Sequence, residues 1–317
     1  MAVLALTMAL CGPLTPTVGA SAAASDTAGF ITLLFSRSAI TTAENCVTDS
    51  TNVKPLITGV APELKRRGFI GTGTVETRFI KESSRVCGHF RRTSYASWSD
   101  LTNLRVNYHW QFVSHSRTYE MHLDQLTRQQ QWDETCGSIL DLLAHGHRRG
   151  DGLFAYPHSS GVLSVQTQVV SKCFAFSRRY KWGPISRAEA TTSPYWNNTM
   201  QTGGGRCNNP TLACYKDSRL DAARYANPYQ LAHVASGVVR AQWLTIQSYV
   251  LVTGTRSGEW DCRSSDWRDH WTADFERYCW SDYLRVLNAI PATVKVTDPK
   301  TVALAWGRTN YTPPALP

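Results

Sequence analysis

Apolar runs of strand length alternate with helical patterns along most of this 317-residue chain. The first run, Phe30 to Phe35, is typical of a strand buried on both faces of a parallel sheet. Further on, a strand pattern at Gln111–Ser114 is followed by a helical pattern from Thr127 to His145 and a strand pattern at Gly152–Tyr156. This alternation predicts a parallel α/β fold, and the length suits a single barrel-like domain without a second core.

The remaining patterns continue the alternation. They predict helices at Val60–Arg67, Trp98–Tyr108, Val165–Ser171, Thr272–Ile290 and Thr301–Trp306, and strands at Phe69–Ile80, Phe174–Ser177, Trp243–Val252 and Val294–Val296. Thr127 and Gln130 have the spacing of a capping box, which predicts where the helix between them and His145 begins. The segment Trp182–Asn227 is rich in Gly, Asn, Pro, Ser and Thr, and we expect a long surface excursion there.

Charged residues make up only 18% of the chain, yet the formal net charge is +9 and the pI is about 9.2. A basic surface favours anionic partners such as nucleic acid, anionic cell-wall polymer or lipid headgroups. Charge alone does not choose among these partners.

The N-terminal segment has the pattern of a secretory signal. Met1–Ser25 carries no charged side chain, and an apolar stretch is followed by small residues with an expected cleavage point near Ala22–Ala24. The apolar stretch is too short for a stable membrane span. We therefore expect a secreted protein with a signal peptide at residues 1–24, a domain at residues 28–306 and a C-terminal tail at residues 307–317.

Removal of the signal leaves eight cysteines, and an even number in an exported chain indicates disulfides. Eight cysteines allow 105 pairings. We predict the sequential set, Cys46–Cys87, Cys136–Cys173, Cys207–Cys214 and Cys262–Cys279.

Candidate site residues follow the predicted strands. His115 ends the strand at Gln111–Ser114, and barrel enzymes present functional side chains at that position, although an ordinary hydrogen-bonded histidine is the alternative. Arg37 follows the first strand and is either an anchor for an anionic or sugar oxygen or part of a structural salt bridge. Ser36 and Ser38 with His115 would suit a hydrolase, but no Gly-x-Ser-x-Gly motif occurs and the histidine has no evident orienting acid.

Other ionisable residues have both a functional and a structural interpretation. His122 with Asp124 would supply replacement metal ligands or belong to a polar loop. Asp151 would be a replacement carboxylate or a turn former. His145 and His147 would form a metal or anion site or a solvated helix end, where cations complement the helix dipole.

The order of these pieces resembles the polysaccharide deacetylase (NodB-homology) family, carbohydrate esterase family four. The resemblance covers most of residues 28–306 and rests on Phe30–Phe35, Phe112–Tyr119, Phe154–Pro157, Trp243–Tyr249 and the final Val294–Thr297. It implies a distorted (β/α)7 barrel in which one Asp and two His hold a zinc-like metal. A second Asp would act as base while the metal polarises an acetyl carbonyl for attack by water.

Residue by residue, most of the implied ligands are replaced. Ser36 and Arg37 stand where the family has its acid pair, His115 stands at the first histidine and Tyr119 at the second. Ala155 replaces the third-motif arginine, and the late strand offers Gln247 where a histidine is implied. The predicted site is therefore catalytic His115, no metal ligand set, and substrate-binding residues Ser36, Arg37, Tyr119, Tyr156 and Gln247.

These observations predict a disulfide-stapled, NodB-like α/β barrel that removes acetyl groups from cell-envelope or environmental glycans, with a degraded metal triad. The alternative is a catalytically inactive barrel that binds cell-wall polysaccharide. The expected partner is a peptidoglycan or chitin-like polysaccharide. Nucleic acid is disfavoured because export and disulfides argue against it and no recognition motif occurs. Whether a divalent metal such as zinc binds, and the oligomeric state, stay open.

Overall fold

The fold is described from a computed structural model. It describes residues 28–35, 54, 56–80, 96–119, 122–157, 162–180, 183–192, 197–202, 225–226, 228–248, 250–256, 260–264 and 277–315. The predicted signal peptide, Ser36, Arg37, Ser38 and the cysteines at positions 46, 87, 207 and 214 lie outside these residues.

The strands have the following bounds in chain order. They are β1 Gly29–Phe35, β2 Gly71–Val75, β3 Gln111–Ser114, β4 Leu153–Ala155, β5 Phe176–Tyr180, β6 Ile185–Ser186, β7 Asn197–Thr202, β8 Tyr225–Ala226, β9 Gln242–Ser248, β10 Val250–Val252, β11 Thr255–Arg256, β12 Trp260–Asp261, β13 Arg277–Cys279 and β14 Val294–Val296.

The α-helices are α1 Ala61–Arg66, α2 Trp98–Tyr108, α3 Arg128–Glu134, α4 Cys136–Ala144, α5 Leu163–Val165, α6 Ser171–Cys173, α7 Arg187–Thr192, α8 Pro228–Ser236, α9 Trp280–Ala289 and α10 Pro299–Ala305. Single π-helical turns occur at Leu56–Val60, before α1, and at Gln166–Val170, between α5 and α6.

Seven parallel strands form a curled sheet in the described part of the chain. Hydrogen-bonded pairing runs from β1 through β2, β3, β4, β5 and β7 to β9. Strand β9 then pairs in parallel with β1 over Phe30–Phe35, so the sheet curls back on its first strand. Strand β14 pairs with the first half of β1, and the short β6 runs antiparallel to β9. The α/β class and the curled seven-stranded sheet confirm the coarse form of the predicted barrel.

The amino ends of the strands are closed by α10. Its N-cap Asp298 accepts hydrogen bonds from the backbone N–H groups of Lys300 and Thr301, and Pro299 occupies the first helical position. The ring of Trp306, just after α10, contacts the rings of Phe30, Phe176 and Trp243. Because these rings come from β1, β5 and β9, Trp306 packs as an apolar plug at this end.

Several sequence predictions of individual elements are confirmed. The first strand, the helix at Trp98–Tyr108 and the strand at Gln111–Ser114 have the predicted bounds within one residue. The Thr127–Gln130 capping box is present. The predicted single helix to His145 instead divides at Thr135, whose hydroxyl donates to the Gln131 carbonyl, an arrangement that bends helices.

Two segments differ from the prediction. The expected helix at Thr272–Ile290 begins only at Trp280, because residues 277–279 form β13 and pair with β10. The expected surface excursion at Trp182–Asn227 contains β7, which is a strand of the seven-stranded sheet. Only Met200 of β7 carries a large apolar side chain, so this strand has no apolar run for a sequence pattern to detect.

Two of the four predicted disulfides are present in the described residues. Cys136–Cys173 joins α4 to α6, and Cys262–Cys279 joins the segment after β12 to β13. The other two predicted pairs lie outside the described residues. Among the helices that the structure describes, none is long and apolar enough to cross a membrane.

Candidate active site at the carboxyl ends of the strands

The inner face of the curled sheet can be assigned from side chains that pack together. Val113 of β3 and Leu153 of β4 belong to one apolar cluster with Phe30, Leu34 and Trp243. Because successive side chains of a strand point to opposite faces, residues two positions further along β3 and β4 face the same interior. The carboxyl ends of these strands therefore direct particular side chains into the mouth of the barrel.

His115 is one of these side chains. It follows β3, lies two residues after Val113, and is only 1% exposed. Its backbone N–H donates to the Val75 carbonyl at 2.9 Å, and the Tyr119 ring meets the imidazole edge to face at 5.0 Å between centroids. The structure thus brings together two of the predicted site residues.

Glu76 directly follows β2, and His115 directly follows the neighbouring strand β3. The last pair of the β2–β3 register is Val75 with Ser114, so these two residues occupy the next positions along adjacent strands. Residues opposite each other in this register have side chains on the same face. A carboxylate that is 4% exposed and the buried imidazole therefore both lie at the carboxyl end of the barrel. Glu76 was not predicted, because the second strand was expected to continue to Ile80.

Arg178 is a second buried charge on the inner face. The β4–β5 register pairs Leu153 with Phe176 and Ala155 with Arg178. The guanidinium donates to the Tyr156 carbonyl at 3.4 Å, and the residue is 2% exposed. Arg178 directly follows the predicted strand end at Ser177, although β5 continues to Tyr180. The signal that identified His115, a polar side chain directly after a predicted strand, would therefore have found Arg178, and a strand end at Val75 would have revealed Glu76 in the same way.

The loop after His115 is held by Glu134 at the end of α3. The Glu134 carboxylate accepts hydrogen bonds from the Thr118 backbone N–H and hydroxyl, each at 2.9 Å. Ser116 and Tyr119 have φ values of 67° and 63°, a conformation that side chains rarely adopt. Such backbone strain is concentrated at functional sites, where the surrounding contacts maintain it.

Arg117 anchors the same loop to α4. Its guanidinium forms two hydrogen bonds of 2.8 Å with the Asp141 carboxylate and also bonds Asp133. Burial opposes the charge of Arg117, but hydrogen bonds and Coulombic attraction from Asp141 and then Asp133 outweigh burial and raise its pKa. The loop is therefore fixed from both sides of its strained backbone.

The other predicted binding residues are separated by the fold. Gln247 is fully buried and faces the interior, because the β1–β9 register places it opposite Leu34. Tyr156 lies on the opposite side of the sheet, where it packs on Phe154 in the layer outside the barrel, and burial raises the pKa of its hydroxyl. The structure does not bring Tyr156 together with His115.

The structure places the alternative residues away from His115 or in structural roles. His122 and Asp124 are exposed around the short 3₁₀ turn that starts at Leu123. Asp151 lies before β4, at the amino end, and forms an ion pair with Lys300. The His115 end of the barrel is the opposite one, so Asp151 is not a replacement carboxylate for this site.

The expected solvated helix end at His145 and His147 is wrong for His147, which is buried. His147 packs on Phe112 and near Trp98, and His145 stacks on Trp98 at 3.7 Å between centroids. Burial, followed by the charges of Arg105 and His145, lowers the pKa of His147 to about 4. His147 is therefore neutral at pH 7.

The metal site implied by the family resemblance needs three protein ligands and an open position. Glu76 and His115 supply two groups that can bind a metal. In the part of the chain that the structure describes, no group of three or more His, Cys, Asp or Glu residues is placed to hold a metal ion. The described residues therefore do not fit the implied ligand set.

No protein-family model and no curated protein sequence matches the chain. Among solved structures, the chain is similar to a family 4 carbohydrate esterase from Streptomyces lividans, with 12% identity, a TM-score of 0.37, and coverage of 70% of this chain and 80% of that chain.

Two other similar structures are the Xyl-CE4 domain of a multidomain xylanase from the hindgut metagenome of Trinervitermes trinervoides and IcaB from Ammonifex degensii. The first has 12% identity and a TM-score of 0.35, and covers 69% of this chain and 74% of that chain. The second has 12% identity and a TM-score of 0.33, and covers 49% of this chain and 84% of that chain. Similarity at this level establishes neither family nor activity.

Proposed function

We propose that this chain is a hydrolase of the polysaccharide deacetylase type, which removes acetyl groups from glycans of the cell envelope or the environment. The observation that carries the proposal is that two buried ionisable residues, Glu76 and His115, directly follow the adjacent strands β2 and β3 at the carboxyl end of the barrel. This end of a parallel barrel is where enzymes of such folds hold their reacting groups.

A carboxylate beside an imidazole suits general acid–base catalysis. In the proposed reaction, this pair takes a proton from water as the water oxygen bonds to the acetyl carbonyl carbon. The carbon–oxygen or carbon–nitrogen bond to the sugar then breaks, and the pair returns the proton to the leaving sugar atom. Acetate and the free sugar hydroxyl or amine are the products.

Further residues have roles in this proposal. The buried guanidinium of Arg178 provides positive charge for the oxyanion that forms on the acetyl carbonyl oxygen. Tyr119, whose ring meets His115, offers an aromatic surface for the apolar face of a sugar ring. Gln247 provides an amide inside the barrel for a sugar hydroxyl, and Ser36 and Arg37 stay predicted binding residues outside the described part of the chain.

The test is acetate release by the mature protein from chitin oligomers, peptidoglycan and O-acetylated xylan, with and without added zinc. His115→Gln and Glu76→Gln should each lower the rate by roughly 10²–10⁴-fold, because each removes one partner of the proton-transfer pair. The matched control is Arg148→Gln, which alters an exposed residue outside the proposed site. Acetate release that both site variants retain would place the chemistry elsewhere, and no release from any substrate would rule out the deacetylase function.

A second candidate function is binding of cell-wall polysaccharide at the barrel mouth without hydrolysis. The net charge of +9 and the presence of Ser36 and Arg37 where the resemblance implies an acid pair favour it. Cosedimentation with purified wall should then weaken as salt is raised, since salt screens exposed charges. Retention that does not respond to salt would argue against this function.

A further inference from the structure

A groove between α1 and α9 lies on the outer side of the barrel, on helices that take no part in the proposed active site. Its volume is about 420 Å³, within the range of roughly 300–1,000 Å³ that is typical of small-molecule sites. Its lining consists of Lys54, Gly59, Pro62, Glu63, Arg66, Arg67, Trp280, Leu284 and Asn288.

The groove has an excess of positive charge. Lys54, Arg66 and Arg67 face a single carboxylate, Glu63, among its lining residues. Glu63 accepts hydrogen bonds from Arg66 at 2.7 and 2.9 Å and from Arg67 at 2.6 Å. These two arginines use only part of their five donors each in the contacts with Glu63. One carboxylate cannot balance three cations, so the groove attracts a further anion.

Lys54 is held over the groove by contacts at both of its ends. Its backbone N–H donates to the Leu251 carbonyl at 2.7 Å, and its ammonium lies 5.1 Å from the centre of the Trp280 ring. Its side chain passes Gly59 so closely that a Cβ atom at that position would be 2.8 Å from Lys54 Cε. Gly59 belongs to the π-helical turn before α1, and such turns are frequent at functional sites.

Trp280 forms the apolar wall of the groove. It begins α9, is only partly buried, and its ring stacks on Tyr283 at 5.9 Å between centroids with planes 26° apart. The Lys54 ammonium lies over the same ring, so a sugar ring that packs its CH face on the indole takes the place of this ammonium, which then turns to the anionic group. The groove therefore combines a sugar-type platform with cations at its edge.

We propose that this groove binds an anionic saccharide, with the apolar face of a sugar ring on Trp280 and the anionic group between Lys54 and Arg66. The proposal is independent of whether the barrel mouth hydrolyses acetyl groups. The residues that recognise the anionic group and the sugar ring belong to α1 and α9, together with Lys54.

The test measures binding of tetragalacturonate to the mature protein by isothermal titration calorimetry, with maltotetraose and inorganic phosphate as separate probes. Tetragalacturonate should bind more tightly than either of the other probes, because only it offers both the sugar face and the anion. The double variant Lys54→Gln/Arg66→Gln should weaken its binding by at least about tenfold, as expected for loss of charge-assisted hydrogen bonds. Arg148→Gln, which removes an exposed cation outside the groove, should change the affinity less than twofold.

Gly59→Ala provides a test that leaves the net charge unchanged. The added methyl group displaces the flexible end of Lys54 and should weaken binding several-fold. Gly237→Ala is the matched control, since a Cβ there meets only carbonyl oxygens at 3.6 Å. Equal affinities of Gly59→Ala and Gly237→Ala, equal binding of maltotetraose and tetragalacturonate, or tight binding of phosphate alone would each overturn the proposal. Acetate release by the double variant should match that of the unmodified protein, which separates this site from the barrel mouth.

Discussion

The buried acids at the two ends of the barrel have different surroundings. At the amino end, which α10 closes, Asp151 forms an ion pair with Lys300, and Arg149 bonds Asp298 at 2.9 Å. At the carboxyl end, the buried Glu76 follows β2 as His115 follows β3, and the loop after His115 has a strained backbone.

The difference shows why burial alone does not identify a functional residue. Burial opposes the charge of Lys300, but the hydrogen bonds that its ammonium donates to Asp151 and Tyr311 more than compensate and raise its pKa, so these groups stabilise the closed end as a unit. Glu76 lies at the carboxyl end, where barrel enzymes hold their reacting groups. The ion pairs therefore stabilise the closed end, whereas the proposed function assigns the chemistry to the mouth.

The largest effect on stability should come from the plug. Trp306→Ala removes a buried indole that contacts three other aromatic rings, and should lower the free energy of unfolding by about 3–5 kcal/mol. Urea unfolding followed by tryptophan fluorescence measures this loss. Activity per folded molecule should be retained, so a selective loss of activity without a loss of stability would contradict the assignment of roles to the two ends.

A second contrast concerns histidines, since His147 is as buried as His115 but lies in the layer outside the barrel. Its folded-state pKa of about 4 is below the ordinary 6.5, so the folded protein favours the neutral form. The contribution of neutral His147 to the free energy of unfolding is complete above pH 6.5 and is lost as the pH falls from 6.5 towards 4. At pH 5, about 2 kcal/mol of this contribution is lost.

The measurement for His147 is urea unfolding at pH 7.5 and pH 5. In His147→Gln, the decrease in unfolding free energy between these two pH values should be smaller than in the unmodified protein by about 2 kcal/mol. Other titrating groups contribute equally to both proteins and cancel. An identical pH dependence in the two proteins would show that His147 is not held neutral.

Glu134 links the mouth to α3 and should affect activity more than stability. Glu134→Gln weakens the hydrogen bonds that hold Thr118 and should cost about 1–2 kcal/mol of unfolding free energy. It should also lower acetate release well beyond what this loss explains, because the loop carries Tyr119 against His115. Unchanged kinetics in a destabilised variant would mean that the loop geometry is not used by the site.

The smallest expected effect lies at the other end of the same helix. Thr127→Ala removes the N-cap of α3 and should cost about 1 kcal/mol. Thermal unfolding measures this change, and acetate release should be unaltered. Thr127→Ala thereby controls for general loosening of α3 in the Glu134 experiment.

Much of the fold was predictable where apolar side chains mark the element. The strand at Phe30–Phe35 is detected because its apolar side chains pack on both sides of the sheet. The helices that flank the sheet are detected because their apolar side chains pack against it. Strand β7 was missed because Thr199 faces a polar part of the barrel interior, where it adjoins Thr245 of β9. A strand with polar inner residues has neither a continuous apolar run nor an apolar alternation.

The candidate site was predictable only in part, because a local sequence pattern marks some of its residues and not others. His115 was found from its position after a strand, whereas Glu76 was missed because its strand was expected to continue to Ile80. Arg178 was missed although it directly follows the predicted strand end at Ser177. Tyr156 was grouped with His115 because Phe154–Pro157 resembles the third-motif strand of the deacetylase family, which placed it at the presumed rim. Alternation along β4 directs it to the opposite face of the sheet.

The order of helices and strands, the cysteines available for pairing and the position of His115 after a strand all follow from local patterns, because each depends on residues close together in the chain. Which acid lies at the same end of the barrel as that histidine, which face each tyrosine occupies and where Lys54 meets an indole of α9 were decided only by the tertiary structure. These contacts join residues far apart in sequence, and they depend on the register between strands and on the packing of helices, neither of which a local pattern contains.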